Sequence, residues 1–150
     1  MSEVKQEEVK LTKDQCVNAV DYLLKLDAGK IKRPEGKHKM HCSMVKAELE
    51  FPIKAIDPER LDKIKMDSMD MKKGDVKNIR MFNMKADTIL AACDLFTNAD
   101  VQAHFGVHSP IDLLKFLLLP GEIDSLYSAI NKLMGFDEES EEELDKEVKN

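Results

Sequence analysis

Residues 113–136, LLKFLLLPGEIDSLYSAINKLMGF, constrain the fold more than any other part of the chain. Leu113 to Leu119 is apolar apart from Lys115, and Pro120 stops the run well short of the roughly 18–20 apolar residues a membrane helix needs. Proline removes a backbone donor and disfavours helix at the residue before it, so the chain turns at Leu119. Residues 110–119 are predicted to form a helix apolar nearly all round, which means a buried one. Beyond the turn, Glu122 and Asp124 fall in the first turn of a second helix, where carboxylates favour the positive end of the dipole. Ile123, Leu126, Tyr127, Ile130, Leu133 and Met134 make its inner face, and Gly135 ends it. The stretch therefore reads as two core helices joined at a corner made by Leu119, Pro120, Gly121 and Glu122.

A chain of 150 residues is long enough for one domain with a real core and short for two. Its net charge of −6 is concentrated in one place. Residues 137–150 hold eight acids and two bases, which leaves 21 of each sign in residues 1–136. The acidity is a tail, and nothing in the total supports nucleic-acid binding. The N-terminus, MSEVKQEEVK, has no apolar stretch of the kind a signal peptide carries. Cys16, Cys42 and Cys93 are widely spaced and odd in number, which suits a reducing compartment better than a disulfide framework.

Hydrophobic periodicity fills in the rest. Thr12 to Gln15 has capping-box spacing, and Cys16, Ala19, Val20, Leu23 and Leu24 follow on one helical face until Gly29. Residues 30–44 are basic, contain Pro34 and Gly36, and read as a linker. Residues 45–55 alternate cleanly, with Val45, Ala47, Leu49, Phe51, Ile53 and Ala55 on one face of a strand. Pro52 cannot donate to a ladder, so this strand belongs at an edge or in a bent hairpin. Asp57-Pro58 opens a helix expected to run past Leu61, Ile64 and Met69 to Lys72-Lys73-Gly74. From Asp75, Ile79, Phe82, Ala86, Ile89, Leu90, Cys93 and Phe96 fit one further helical stripe, with a break allowed at 83–87. Asn98 caps a short helix ending at Gly106, and Ser109-Pro110 caps the next. The prediction is a mainly α fold with a small β element (α+β). A single compact helical domain over 11–136 carries a short edge strand or hairpin, between disordered termini at 1–10 and 137–150.

Few residues suggest chemistry. His104 and His108 are four apart, but Gly106 and Val107 interrupt the helix that would align them, and no acid follows His104 as a zinc-hydrolase motif requires. His38, His41 and Cys42 lie in a basic segment that repels a cation, so ordinary surface histidines are the better reading. No nucleophile with its base, phosphate loop or paired-carboxylate cleft is recognisable, so no enzyme, metal or cofactor is expected. The six bases of residues 30–46 have no aromatic neighbour to stack on a nucleobase. Nine methionines are many for this length, and Met66, Met69, Met71, Met81 and Met84 cluster. Flexible thioethers suit an adaptable partner-binding surface, although gap-filling in a core is the better reading.

The order of motifs goes further. LEFPIKAIDPERLDKI, followed by ADTILAACDLFTNADVQAHFGVHSPIDLLKFLLLPGEIDSLYSAINKLMGF, resembles the XkdN-like tail assembly chaperones of long-tailed phages and phage-like elements. The resemblance covers about residues 47–136. Its most specific part is Leu117 to Ile123, with Leu126, Ile130 and the closing Gly135-Phe136. It implies a non-catalytic protein that coats the long tape measure protein while tail tube subunits assemble around it, with the tube protein as a second candidate partner. The same resemblance implies action in the bacterial host cytoplasm, with no membrane or nucleic acid bound, and absence from the finished virion. It leaves homo-oligomerisation open. A tail adaptor or completion protein is the rival reading, and a metal-dependent enzyme using His104 and His108 is more remote. Deleting residues 138–150 removes only Leu144 and Val148 among large apolar side chains. The truncated chain is expected to melt within about 4 °C of the full one; a larger drop in a thermal scan would show that the tail docks.

Overall fold

The alternation read in residues 45–55 does form a strand. In the computed structural model, which describes residues 16–72 and 75–136, β2 (Ala47–Lys54) pairs antiparallel with β1 (Glu35–Cys42). The side chains of residues 70–79 lie outside that description. The register runs from Glu35 opposite Lys54 to Cys42 opposite Ala47. Inward positions Met40, Cys42, Phe51 and Ile53 are buried, while Lys37, Lys39, His41, Glu48, Glu50 and Pro52 face outward and are exposed. Each strand of a two-stranded sheet is an edge, which accommodates Pro52.

The expected linker at 30–44 is thus corrected, because most of it is β1. Its inward positions are Gly36, His38, Met40 and Cys42, only two of them strongly apolar, so the period-two signal is hidden in the sequence. The strand exists because β2 supplies hydrogen-bond partners and a neighbouring helix supplies a lid. The described residues divide into two compact units, with the boundary between Lys32 and Arg33. In the first, α1 spans only Ala19–Leu23, capped by Asn18, whose side chain accepts from the Asp21 N–H at 3.1 Å. It buries no side chain, and such a helix gains little beyond its marginal intrinsic stability. The capping-box residues 12–15 and both predicted disordered termini lie outside the described residues.

In the second unit, Asp57 caps α2 (Pro58–Asp67) by accepting from the N–H groups of Glu59 and Arg60. The helix stops earlier than expected. Met69–Lys72 (β3) and Asp75–Ile79 (β4) make a second antiparallel hairpin, with an irregularity at Asp70/Met71. The helical stripe predicted from Asp75 therefore begins only at α3 (Met81–Ala92), which then runs through 83–87 unbroken. Met69-Asp70-Met71-Lys72 alternates, but four residues are too few to outweigh a helical pattern in which Met69 also fits. A 3₁₀ turn (Asp94–Thr97), α4 (Ala99–His104), α5 (Pro110–Leu117) and α6 (Pro120–Leu133) complete the chain. Gly106, at φ +70°, terminates the α4 region as expected.

Helix α6 is central: α3 and both strands of the first hairpin pack on it. Ile123, Leu126 and Ile130 are buried at helical spacing against a cluster that includes Phe51, Ile89, Phe96, Leu113 and Leu114. Phe51 and Phe96 stack with ring centroids 6.3 Å apart, joining the hairpin to the 3₁₀ turn. Buried hydroxyls are satisfied one helical turn back: Ser68 donates to the Ile64 carbonyl at 2.8 Å and Thr88 to that of Met84 at 2.7 Å. Leu118 is 4% exposed and Ile123 6%, which puts both residues in the core on either side of the corner. Leu118→Ala is expected to cost about 2–5 kcal/mol in chemical denaturation, and an unchanged midpoint would contradict this packing.

Candidate functional site

The corner between α5 and α6 follows from Pro120. Leu118 (φ −117°, ψ 138°) and Leu119 (φ −80°, ψ 160°) are extended, as the residue before a proline prefers, and Pro120 takes the first helical position. Two successive extended residues point opposite ways. Leu118 enters the core, and Leu119 remains 42% exposed. Leucine has no side-chain acceptor for a cap, so Glu122 does the capping from within the helix. Its Oε1 accepts from the Leu119 N–H at 2.9 Å, and its Oε2 accepts from the Ser43 N–H at 3.0 Å. One carboxylate thereby ties the corner to the turn between β1 and β2. The Leu119 and Ser43 N–H groups hold its pKa below the usual glutamate range, with burial opposing them.

Beside the corner lies a groove of about 400 Å³ lined by Phe82, Lys85, Lys115, Leu118, Pro120, Ile123 and Asp124. Buried Leu118 and Ile123 form its floor, and Phe82, 42% exposed, is its α3 wall. Lys85 is held by Asp124 at 2.7 Å and lies over the Tyr127 ring. Lys115 is exposed and has no ion-pair partner among the described residues. The same helix α5 presents Phe116 to solvent, with its ring 5.3 Å from that of Phe105, also exposed. The expectation that α5 is apolar and buried all round is corrected by Lys115 and Phe116, just as the inward assignment of Phe82 is corrected by its exposure. Periodicity counts apolar residues, and a helix with an excess of them gives no sign of which one is left over.

The methionines do not make one exposed face. Met66 is exposed, Met69 and Met81 are half-buried, and Met84 is core. Met71 falls in β3, and its side chain is outside the description. Of the corner residues, Leu119, Pro120 and Gly121 are exposed and Glu122 is half-buried. Strand alternation places His38 and Cys42 on the inner face of β1 and His41 on the outer one. His38 shares a 3.0 Å hydrogen bond with the Ser125 hydroxyl of α6, and burial lowers its pKa. His104 packs edge-on against Phe105, and the left-handed Gly106 separates it from His108. Burial raises the thiol pKa of Cys42 and of Cys93. No helix among the described residues is long and apolar enough to cross a membrane.

The chain belongs to the phage XkdN-like tail assembly chaperone proteins, whose family model matches residues 20–149. No curated protein and no solved structure matches it.

Glu122 supplies a pH-dependent contribution of known sign. A carboxyl with its native pKa below the unfolded value stabilises the fold fully above about pH 4.3, and loses that contribution as pH falls through the lower native value. Glu122→Gln keeps the shape without the charge, and is expected to be about 1 kcal/mol less stable at pH 7. The difference should shrink as denaturant midpoints are measured towards pH 3. A gap that stays constant with pH would mean the carboxylate's charge contributes nothing.

Proposed function

We propose that the protein chaperones the tape measure protein during tail assembly. It binds exposed apolar stretches of that long protein in the host cytoplasm while tube subunits assemble, and it leaves before the virion is complete. Family membership supports an assembly role with protein partners. The observation that carries the binding reading is the groove at the α5–α6 corner, which is lined by Leu118, Pro120 and Ile123 beside exposed Phe82. Phe82 lines the groove, and exposed Leu119 adjoins it in the chain; Phe105 and Phe116 form a second exposed aromatic pair 5.3 Å apart. Met66, 54% exposed, offers a further adaptable contact, with Met69 beside it in sequence order. The role is binding rather than catalysis.

Co-expression with fragments of the tape measure protein from the same phage is expected to yield a soluble complex, and mass spectrometry of purified virions should find none of this chain. Converting Met66, Met69 and Met71 together to Lys should weaken capture while circular dichroism stays helical, because a desolvated apolar contact tolerates an unpaired Lys poorly. Failure of the wild-type protein to capture any fragment would overturn the proposal, as would its presence in mature particles.

A further inference from the structure

We infer that the groove between α3, α5 and α6 receives an amphipathic helix whose apolar stripe is flanked by an acidic side chain that pairs with Lys115. The inference rests on the chaperone reading and specifies the chemistry of its partner.

The walls decide the mode of recognition. The lining comes from helices α3, α5 and α6 and the corner between the last two, and none of these is a strand whose edge an extended peptide could join. At the corner itself the Leu119 N–H is taken by Glu122, and Pro120 has none. Docking by side chains is favoured, and a helix presents them at the i, i+3, i+4 and i+7 spacing that fills such a groove. Leu118, Ile123 and Pro120 at the bottom, with Phe82 as a wall, form an apolar receptor. A volume of about 400 Å³ accommodates a few aliphatic anchors.

The rim decides the charge. Asp124 already holds Lys85 at 2.7 Å, so that pair is internally neutral. Lys115 is the rim cation without an ion-pair partner among the described residues, and it leaves the groove with a positive edge. An exposed ion pair adds little affinity, but it selects orientation and rejects basic partners. A symmetric pairing of two such grooves would put the Lys115 side chains of both copies into one interface, which like-charge repulsion disfavours.

The test titrates labelled 25-residue peptides, tiled along the tape measure protein of the same phage, into the full-length protein by fluorescence anisotropy. The peptides that bind should carry one apolar stripe with an acid beside it. Phe82→Ser should weaken them about tenfold or more, as loss of a central aromatic contact does. Lys115→Glu changes an exposed side chain in the last turn of α5, and circular dichroism checks that the fold is kept. The substitution should weaken binding about threefold to tenfold, and replacing the peptide's acid by Lys should restore it. Lys39→Glu, the same charge reversal on the outer face of β1, should change nothing. Groove variants that bind like wild type overturn the inference and leave the chaperone reading standing. Capture of the intact tape measure protein without binding of any tiled peptide rejects an isolated helix as the occupant. If neither binds, both readings fall. A wild-type dimer that Phe82→Ser converts to monomer in sedimentation velocity gives the groove to a second copy, and a Phe82→Ser effect that vanishes on deleting residues 138–150 gives it to the chain's own tail. Either result overturns the inference.

Discussion

Pro120 cannot follow a helical residue without a clash, and the unit from Arg33 onward is organised around that restriction. Helix α5 ends at Leu117, Leu118 and Leu119 are extended, the second as the residue before a proline prefers, and Pro120 starts α6. The extended pair sends Leu118 inward and Leu119 outward, which sets both the last core layer and the first surface contact. It also leaves the Leu119 N–H in need of an acceptor. Glu122 meets that need and, through its second oxygen, fixes the β1–β2 turn at Ser43. A local steric rule thus becomes a tertiary tether.

Helix α6 transmits the tether to the rest of the fold. Its buried stripe of Ile123, Leu126 and Ile130 is shared between α3 and the first hairpin, so displacing the corner would disturb both. Polar contacts along the seam include His38 to Ser125 on the hairpin side and Lys85 to Asp124 on the α3 side. The outward face of the hairpin carries Lys37 and Lys39 near Glu50 at 3.8 and 4.0 Å, long and exposed pairs that contribute little. Apolar burial holds the unit together, and the seam contacts fix how its parts are oriented.

The groove is a by-product of the same geometry. Where α5 ends early and α6 departs at an angle, α3 cannot close over both, and Phe82 is left facing the gap. An assembly chaperone must release its partner once assembly proceeds. Under the proposed role, a shallow site with a handful of apolar side chains and one cation that has no ion-pair partner among the described residues suits binding that is selective yet reversible.

Much of this was legible in the residues. The corner, the caps at Asp57, Asn98 and Ser109, strand β2 and the inner face of α6 all follow from local rules: proline sterics, side-chain acceptors at helix starts, and periodicity. The α+β class follows from them as well, whereas the family rests on the resemblance of the ordered motifs and on the family match. What local rules could not supply was the identity of each element's neighbour. Strand β1 has too few apolar inward residues to declare itself, and it forms because β2 pairs with it and α6 covers it. The β3–β4 hairpin displaced a helical pattern that Met69 and Ile79 fitted equally well. The methionines could be read in sequence as core or as surface, and they divide: Met84 is buried and Met66 exposed, while Phe82, Phe105, Phe116 and Leu119 are among the other exposed apolar side chains. A residue's tendency to be buried is its own property. Whether something is there to bury it depends on which helix packs opposite, and that is settled only when the whole chain has closed.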